Sequence, residues 1–175
     1  MKRSPARNAD RAQINVERQS VDTTKFTIPI EPEGKKEARR TRGGHVFKHP
    51  DTRKRMDEIA ESICSQYQGE LLRGPLQVLI VAYRSRPKSK PKAVYVDVKP
   101  DWDNISKLVC DAATQSGVLW DDDCQIVDGR SIKLYAPPGE PGWIELFVRR
   151  HPAATLSKQA AAVSTEALWD TMYVA

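Results

Sequence analysis

Apolar positions in this chain change their period several times, and each change marks a boundary between elements. Phe26, Ile28 and Ile30 alternate with Thr27 and Pro29, which predicts a strand. Pro29 donates no amide hydrogen bond, so that strand belongs at an edge or a bulge. Met56, Ile59, Ala60, Ile63, Cys64 and Tyr67 recur at helical spacing, with Asp51 or Thr52 as the cap and a stop near Gly69. Leu76 to Tyr83 is a nearly unbroken apolar run, expected as a central strand buried on both faces. Val94, Val96 and Val98 suggest a short strand. Ile105, Leu108, Val109 and Ala112 form the stripe of a second helix, starting about Asp103 and ended by Gly117. Val118 to Trp120 reads as a short apolar strand. Ile126 to Tyr135 and Trp143 to Val148 read as two strands of a hairpin around the Pro and Gly residues between 137 and 142. Leu156, Ala160, Val163, Ala167 and Leu168 suggest an accessory helix near the end.

These elements add up to an α+β fold, a single domain in which a mixed β-sheet is covered by two main helices, with a C-terminal accessory helix. A chain of 175 residues accommodates one such core. Residues 1–24 are polar and aperiodic, as expected of a flexible arm; residues 25–150 form the folded unit, and 151–175 a tail. No internal repeat is present.

Charge narrows the partners. The net charge of +5 and pI near 9.2 favour polyanions, nucleic acid first and a membrane surface second. No run of about eighteen apolar residues occurs, and the polar start lacks a secretory signal, so a soluble cytoplasmic protein is expected, with no membrane partner. The basic residues are concentrated. Lys35, Lys36, Arg39, Arg40, Arg42 and Lys48 surround Gly43 and Gly44, as in a mobile loop, and Arg84, Arg86, Lys88, Lys90 and Lys92 alternate with Pro87 and Pro91. Both stretches suit phosphate contacts. Cys64, Cys110 and Cys124 lack metal or redox spacing and are expected as reduced thiols packed in or near the core. His45 and His49 lie four apart, but the neighbouring Gly and Pro residues oppose a helix there and no third ligand is near, which speaks against zinc.

The densest chemistry lies in Lys99-Pro100-Asp101-Trp102-Asp103-Asn104-Ile105-Ser106-Lys107, with Asp121-Asp122-Asp123 further on. At about 100° per residue, Asp103, Lys107 and Asp111 share one helical stripe, opposite the apolar one. Each feature also has a local reading: Asp103 as a helix cap, Asp103 with Lys107 as an i,i+4 pair, and the acidic run as a solvated turn. Taken together they suggest a cation site. Crowded carboxylates raise one another's pKa, and a hard divalent ion relieves that cost; oxygen ligands favour Mg²⁺ or Mn²⁺. Such an ion activates water against a phosphodiester, and Lys107 is placed to orient the phosphate.

Lys99-Pro100-Asp101-x-Asp103-Asn104-Ile105-x-Lys107, Asp111-Ala112, Gly117 and Asp122-Asp123-x-Gln125-Ile126 together resemble the signature of the RusA family of Holliday junction resolvases. Pro29, Lys35, Lys36, Arg39, Arg40 and Thr52-Arg53 are similar to that family's basic amino-terminal half. The resemblance covers roughly Phe26 to Arg150. It implies three catalytic, metal-binding aspartates at Asp101, Asp103 and Asp123, with Asp122 as an alternative ligand, and an essential lysine at Lys107. It also implies a homodimer, of phage or prophage type, that nicks a four-way DNA junction symmetrically. The chain departs from the family in having Trp102 between the first two aspartates, where an aliphatic residue is common, and in the triple acidic run. Trp102, Trp120 and Trp143 are expected in the core, although Trp102 is also placed to stack on an unpaired base. Two rivals stand beside this reading: a non-catalytic basic DNA-binding protein, and a metal nuclease acting on flaps or duplex.

Overall fold

The computed structural model describes residues 22–35, 39–40, 46–47 and 49–151. Strand β1 (Thr24–Ile28) is followed by a two-stranded ribbon, β2 (Arg39–Arg40) with β3 (Val46–Phe47), and helix α1 (Pro50–Gln66). Then come β4 (Leu76–Arg84), helix α2 (Trp102–Ser116), a single 3₁₀ turn (Asp123–Gln125), β5 (Ile126–Tyr135) and β6 (Trp143–Arg150). The main sheet has four strands in the order β1-β6-β4-β5, with β4 and β5 parallel and the other pairs antiparallel. The α+β architecture with a mixed sheet and two helices is therefore present. The suggested C-terminal helix lies outside the described residues.

β4 is central because it is the most apolar strand, and each of its edges is covered by another strand. One face alternates into the core: Leu76, Val78, Ile80 and Ala82 from β4, Ile144, Leu146 and Val148 from β6, and Phe26 and Ile28 from β1 are all buried. The helices cover this face. Met56, Ile59 and Ile63 of α1 and Ile105, Leu108, Val109 and Ala112 of α2 enter the same cluster with Leu119 and Trp120. Each fully buried Leu, Ile or Phe there contributes about 1.5–3 kcal/mol. The opposite face is mixed, with Tyr83 stacked on Trp143 at 4.1 Å between ring centroids.

Several expectations are corrected. β5 and β6 do not form a hairpin, because β4 lies between them; crossing one strand covers about 10 Å, which the seven-residue connection after Tyr135 spans easily. Helix α1 is capped by His49, two or three residues earlier than the predicted Asp51 or Thr52, since His49 Nδ1 accepts the Asp51 amide at 3.2 Å and Pro50 suits the first helical position. The segments around Val96 and Trp120 form only isolated bridges, to Leu134 and Leu72. The basic loop carries the β2–β3 ribbon. Of the thiols only Cys110 is sheltered, and Cys64 and Cys124 are exposed. Of the three tryptophans expected in the core, Trp120 is buried, Trp143 is half-buried and Trp102 is 60% exposed.

Candidate active site

Helix α2 starts in the acidic motif. Asp101 is its N-cap, Trp102 its first residue, and Asp103 lies in its first turn. An N-cap aspartate ordinarily accepts an amide of the first turn. Asp101 makes no such side-chain bond, so its exposed carboxylate is not committed to its own helix. Lys107 Nζ donates to Asp103 Oδ2 at 3.1 Å across one helical turn. The hydrogen bond from Lys107 holds the Asp103 carboxyl below the usual range, so Asp103 is ionised at neutral pH. One turn further, Asp111 accepts from Lys35 Nζ, and the Lys35 amide donates to Asn104 O at 3.2 Å.

The turn before α2 is held from three sides. Lys133 of β5 donates its ammonium to both Val98 O and Pro100 O, each at 2.8 Å. Arg84 at the end of β4 donates Nη1 to Lys99 O at 2.5 Å, while its Nε stands 3.6 Å from Glu31 Oε1, an ion-pair distance rather than a hydrogen bond. Gly34 closes the third side: a Cβ built there would lie 2.9 Å from Pro100 Cβ and 3.4 Å from Asn104 Cβ. Glu31 ties the frame together, accepting from Ser85 Oγ at 2.6 Å and from the Gly142 amide at 3.0 Å. Sequence reasoning missed Lys133, Glu31 and Gly34. Their partners lie tens of residues away, and no local period marks them.

The triple acidic run separates by role. Asp121 faces Arg73 at 3.3 Å. Asp122 caps the 3₁₀ turn, accepting from the Cys124 amide at 2.8 Å, and this holds its carboxyl below the usual range. Asp123 opens the turn, and its charge reaches the Cys110 thiol on α2. Burial chiefly, with Asp123 and then Asp111, pushes that thiol up to about 12. Cys110 lies seven residues after Asp103, about 10 Å along the helix axis. Among the described residues, no three His, Cys, Asp or Glu side chains are gathered closely enough to hold an ion. The convergence expected of Asp101, Asp103 and Asp123 is therefore not formed as a closed group. Asp101 and Asp103 do supply two hard oxygen donors, and Mg²⁺ takes only one or two protein carboxylates beside water and substrate phosphate.

The basic residues divide in a way the sequence did not show. Arg84 holds Lys99 O, and Arg86 donates to Ala136 O at 3.0 Å and to Ala93 O while lying over the Tyr135 ring. Lys90 pairs with Asp97, and Lys35 with Asp111. Lys88 is exposed. Arg39 and Arg40 lie in the ribbon, and Lys36 and Arg42 fall outside the described residues.

The model of the RusA endodeoxyribonuclease family matches residues 29–142, well over half of the chain. The chain belongs to the RusA family. The matched span runs from just after β1 to just before β6, so it contains the acidic turn, α2 and all the groups that hold the turn. Membership in the RusA family supports an endodeoxyribonuclease. No curated protein matches the chain. No helix among the described residues is long and apolar enough to cross a membrane.

Proposed function

We propose that the chain is a magnesium-dependent endonuclease that resolves four-way DNA junctions by paired symmetric nicks. The observation that carries the reading is the uncommitted Asp101 carboxylate beside an ionised Asp103, with Lys107 one turn along the same helix. Asp101 and Asp103 would hold the ion, and Mn²⁺ suits the same oxygens. Asp123 is assigned to the site through the family motif, in preference to Asp122, whose carboxylate already caps the 3₁₀ turn. Bound Mg²⁺ would lower the pKa of an attacking water and stabilise the leaving oxygen. Lys107 neutralises Asp103 until DNA arrives, then turns toward the phosphate and offsets its charge. Lys133 and Arg84 fix the backbone that carries Asp101.

A homodimer matches the substrate, since a two-fold protein presents identical sites to a nearly two-fold junction. Phosphate contacts along the arms fall to Lys36, Arg39, Arg40, Arg42 and Lys88, with Lys35, Arg84, Arg86 and Lys90 acting mainly within the chain. An enzyme of this substrate works on phage or bacterial DNA in the cytoplasm. The test is digestion of a four-way junction, a flap and a linear duplex in Mg²⁺, with and without chelator. Junction cutting that stops in chelator, and an Asp103→Asn variant that binds but does not cut, are the expected results. Equal cutting by the Asn variant would refute the site, and equal rates on all three DNAs would refute junction selectivity.

A further inference from the structure

Five large apolar side chains are exposed among the described residues: Val94, Tyr95, Val98, Trp102 and Val127. The first four fall within nine consecutive residues, the stretch that leads into α2. Single exposed apolar residues are common, but four in so short a stretch of a basic chain make it a candidate contact segment. Trp102 stands out by its place. The residue is 60% exposed although it sits between the two acids of the site.

The ring is also presented on a fixed backbone. The Ile105 amide donates to Asp101 O at 3.2 Å, Ser106 Oγ donates to Trp102 O at 2.8 Å, and Lys133 holds the two carbonyls just upstream. An aromatic on a backbone so held gives up only its two side-chain torsions on binding. The partner must then offer a flat apolar face within one nucleotide's reach of a phosphate bound through the ion that Asp101 and Asp103 would hold. Only a nucleobase combines those properties. Bases inside a continuous duplex hide their faces in the stack, whereas a base beside a branch point can be unstacked at small cost.

We infer that Trp102 is a stacking platform for an unpaired base next to the scissile phosphate, and that it sets the preference for branched over linear DNA. This inference rests on the nuclease reading and names the feature of the substrate that the site recognises.

The test uses the full-length protein and a four-way junction carrying 2-aminopurine at the branch point, with Ca²⁺ in place of Mg²⁺. Stacking on the indole changes the probe's emission. Trp102→Phe is expected to keep at least half the amplitude, and Trp102→Ala and Trp102→Leu to lose at least five-fold, with linear-duplex affinity unchanged within two-fold. In Mg²⁺ the junction-to-duplex cutting ratio of Trp102→Ala is expected to fall at least ten-fold. Wild-type amplitude in the Ala and Leu variants would overturn the inference. So would a smaller sedimenting species for Trp102→Ala alone, which would make the ring a contact to a second copy of the chain. The two readings fail separately. A Trp102-dependent probe signal without cutting of any DNA supports stacking and removes the nuclease, whereas cutting with a signal indifferent to Trp102 removes stacking alone.

Discussion

Lys133→Met removes the ammonium that joins β5 to the acidic turn and keeps most of the aliphatic stem. Two hydrogen bonds are lost, to Val98 O and Pro100 O, both at 2.8 Å. A bond from a charged donor contributes about 1.5–3 kcal/mol when buried, and less here, because the Val98 contact is exposed and water can replace the donor. Together they amount to about 2 kcal/mol, which lowers the melting temperature of a folded unit of this size by about 6–10 °C. The effect on cutting is expected to be larger than the effect on folding. With the turn freed, Asp101 is no longer held in one place, and a displacement of about 1 Å at reacting groups costs on the order of 100-fold in rate. Thermal unfolding by circular dichroism gives the first number, and single-turnover junction cleavage across a Mg²⁺ titration gives the second. The positioning role predicts a slower maximal rate, a higher half-saturating Mg²⁺ and unchanged junction affinity. Lys133→Arg, whose fork can reach both carbonyls, should recover part of the rate. A Met variant that melts earlier but cuts at the wild-type rate would refute the reasoning, because Lys133 would then support the fold without positioning the acids.

Three further outcomes are expected. Gly34→Ala puts a methyl group 2.9 Å from Pro100 Cβ, so the segment around Gly34 or the turn must shift; a stability loss of about 1–3 kcal/mol and slower cutting should appear in denaturant titration and cleavage assays. Cys110, whose thiol is raised from 9.0 to about 12, should resist a thiol reagent at pH 8 while the exposed Cys64 reacts, as peptide mapping of the labelled protein can show. Because the folded value is the higher one, the unfolded chain loses its proton first. The contribution of Cys110 is thus fully present below about pH 9 and is lost as pH rises toward 12, so Cys110→Ala should flatten that part of the stability profile.

The elements themselves were legible along the chain because each reflects local physics. The apolar run Leu76 to Tyr83 suited a central strand, although only one of its faces is fully buried, and the stripe Ile105, Leu108, Val109 and Ala112 suited one face of a helix. The acidic motif was legible too, since its residues are close in sequence and a residue pattern carried the family. Boundaries and pairings were less so. Nothing local decides whether β5 and β6 meet, because that depends on which strand claims the edges of β4.

By itself, then, the sequence determined the helices, the main strands, the basic balance and the acids at the head of α2. Tertiary structure alone decided which basic residues face solvent and which are committed to backbone carbonyls, as Arg84, Arg86 and Lys133 are. It also decided that Trp120 is covered while Trp102 is bare, although each is followed directly by an aspartate. The physical reason is reach. Periodicity reports contacts within a few residues, whereas a lysine's partners and a ring's burial are set by surfaces brought together from distant parts of the chain.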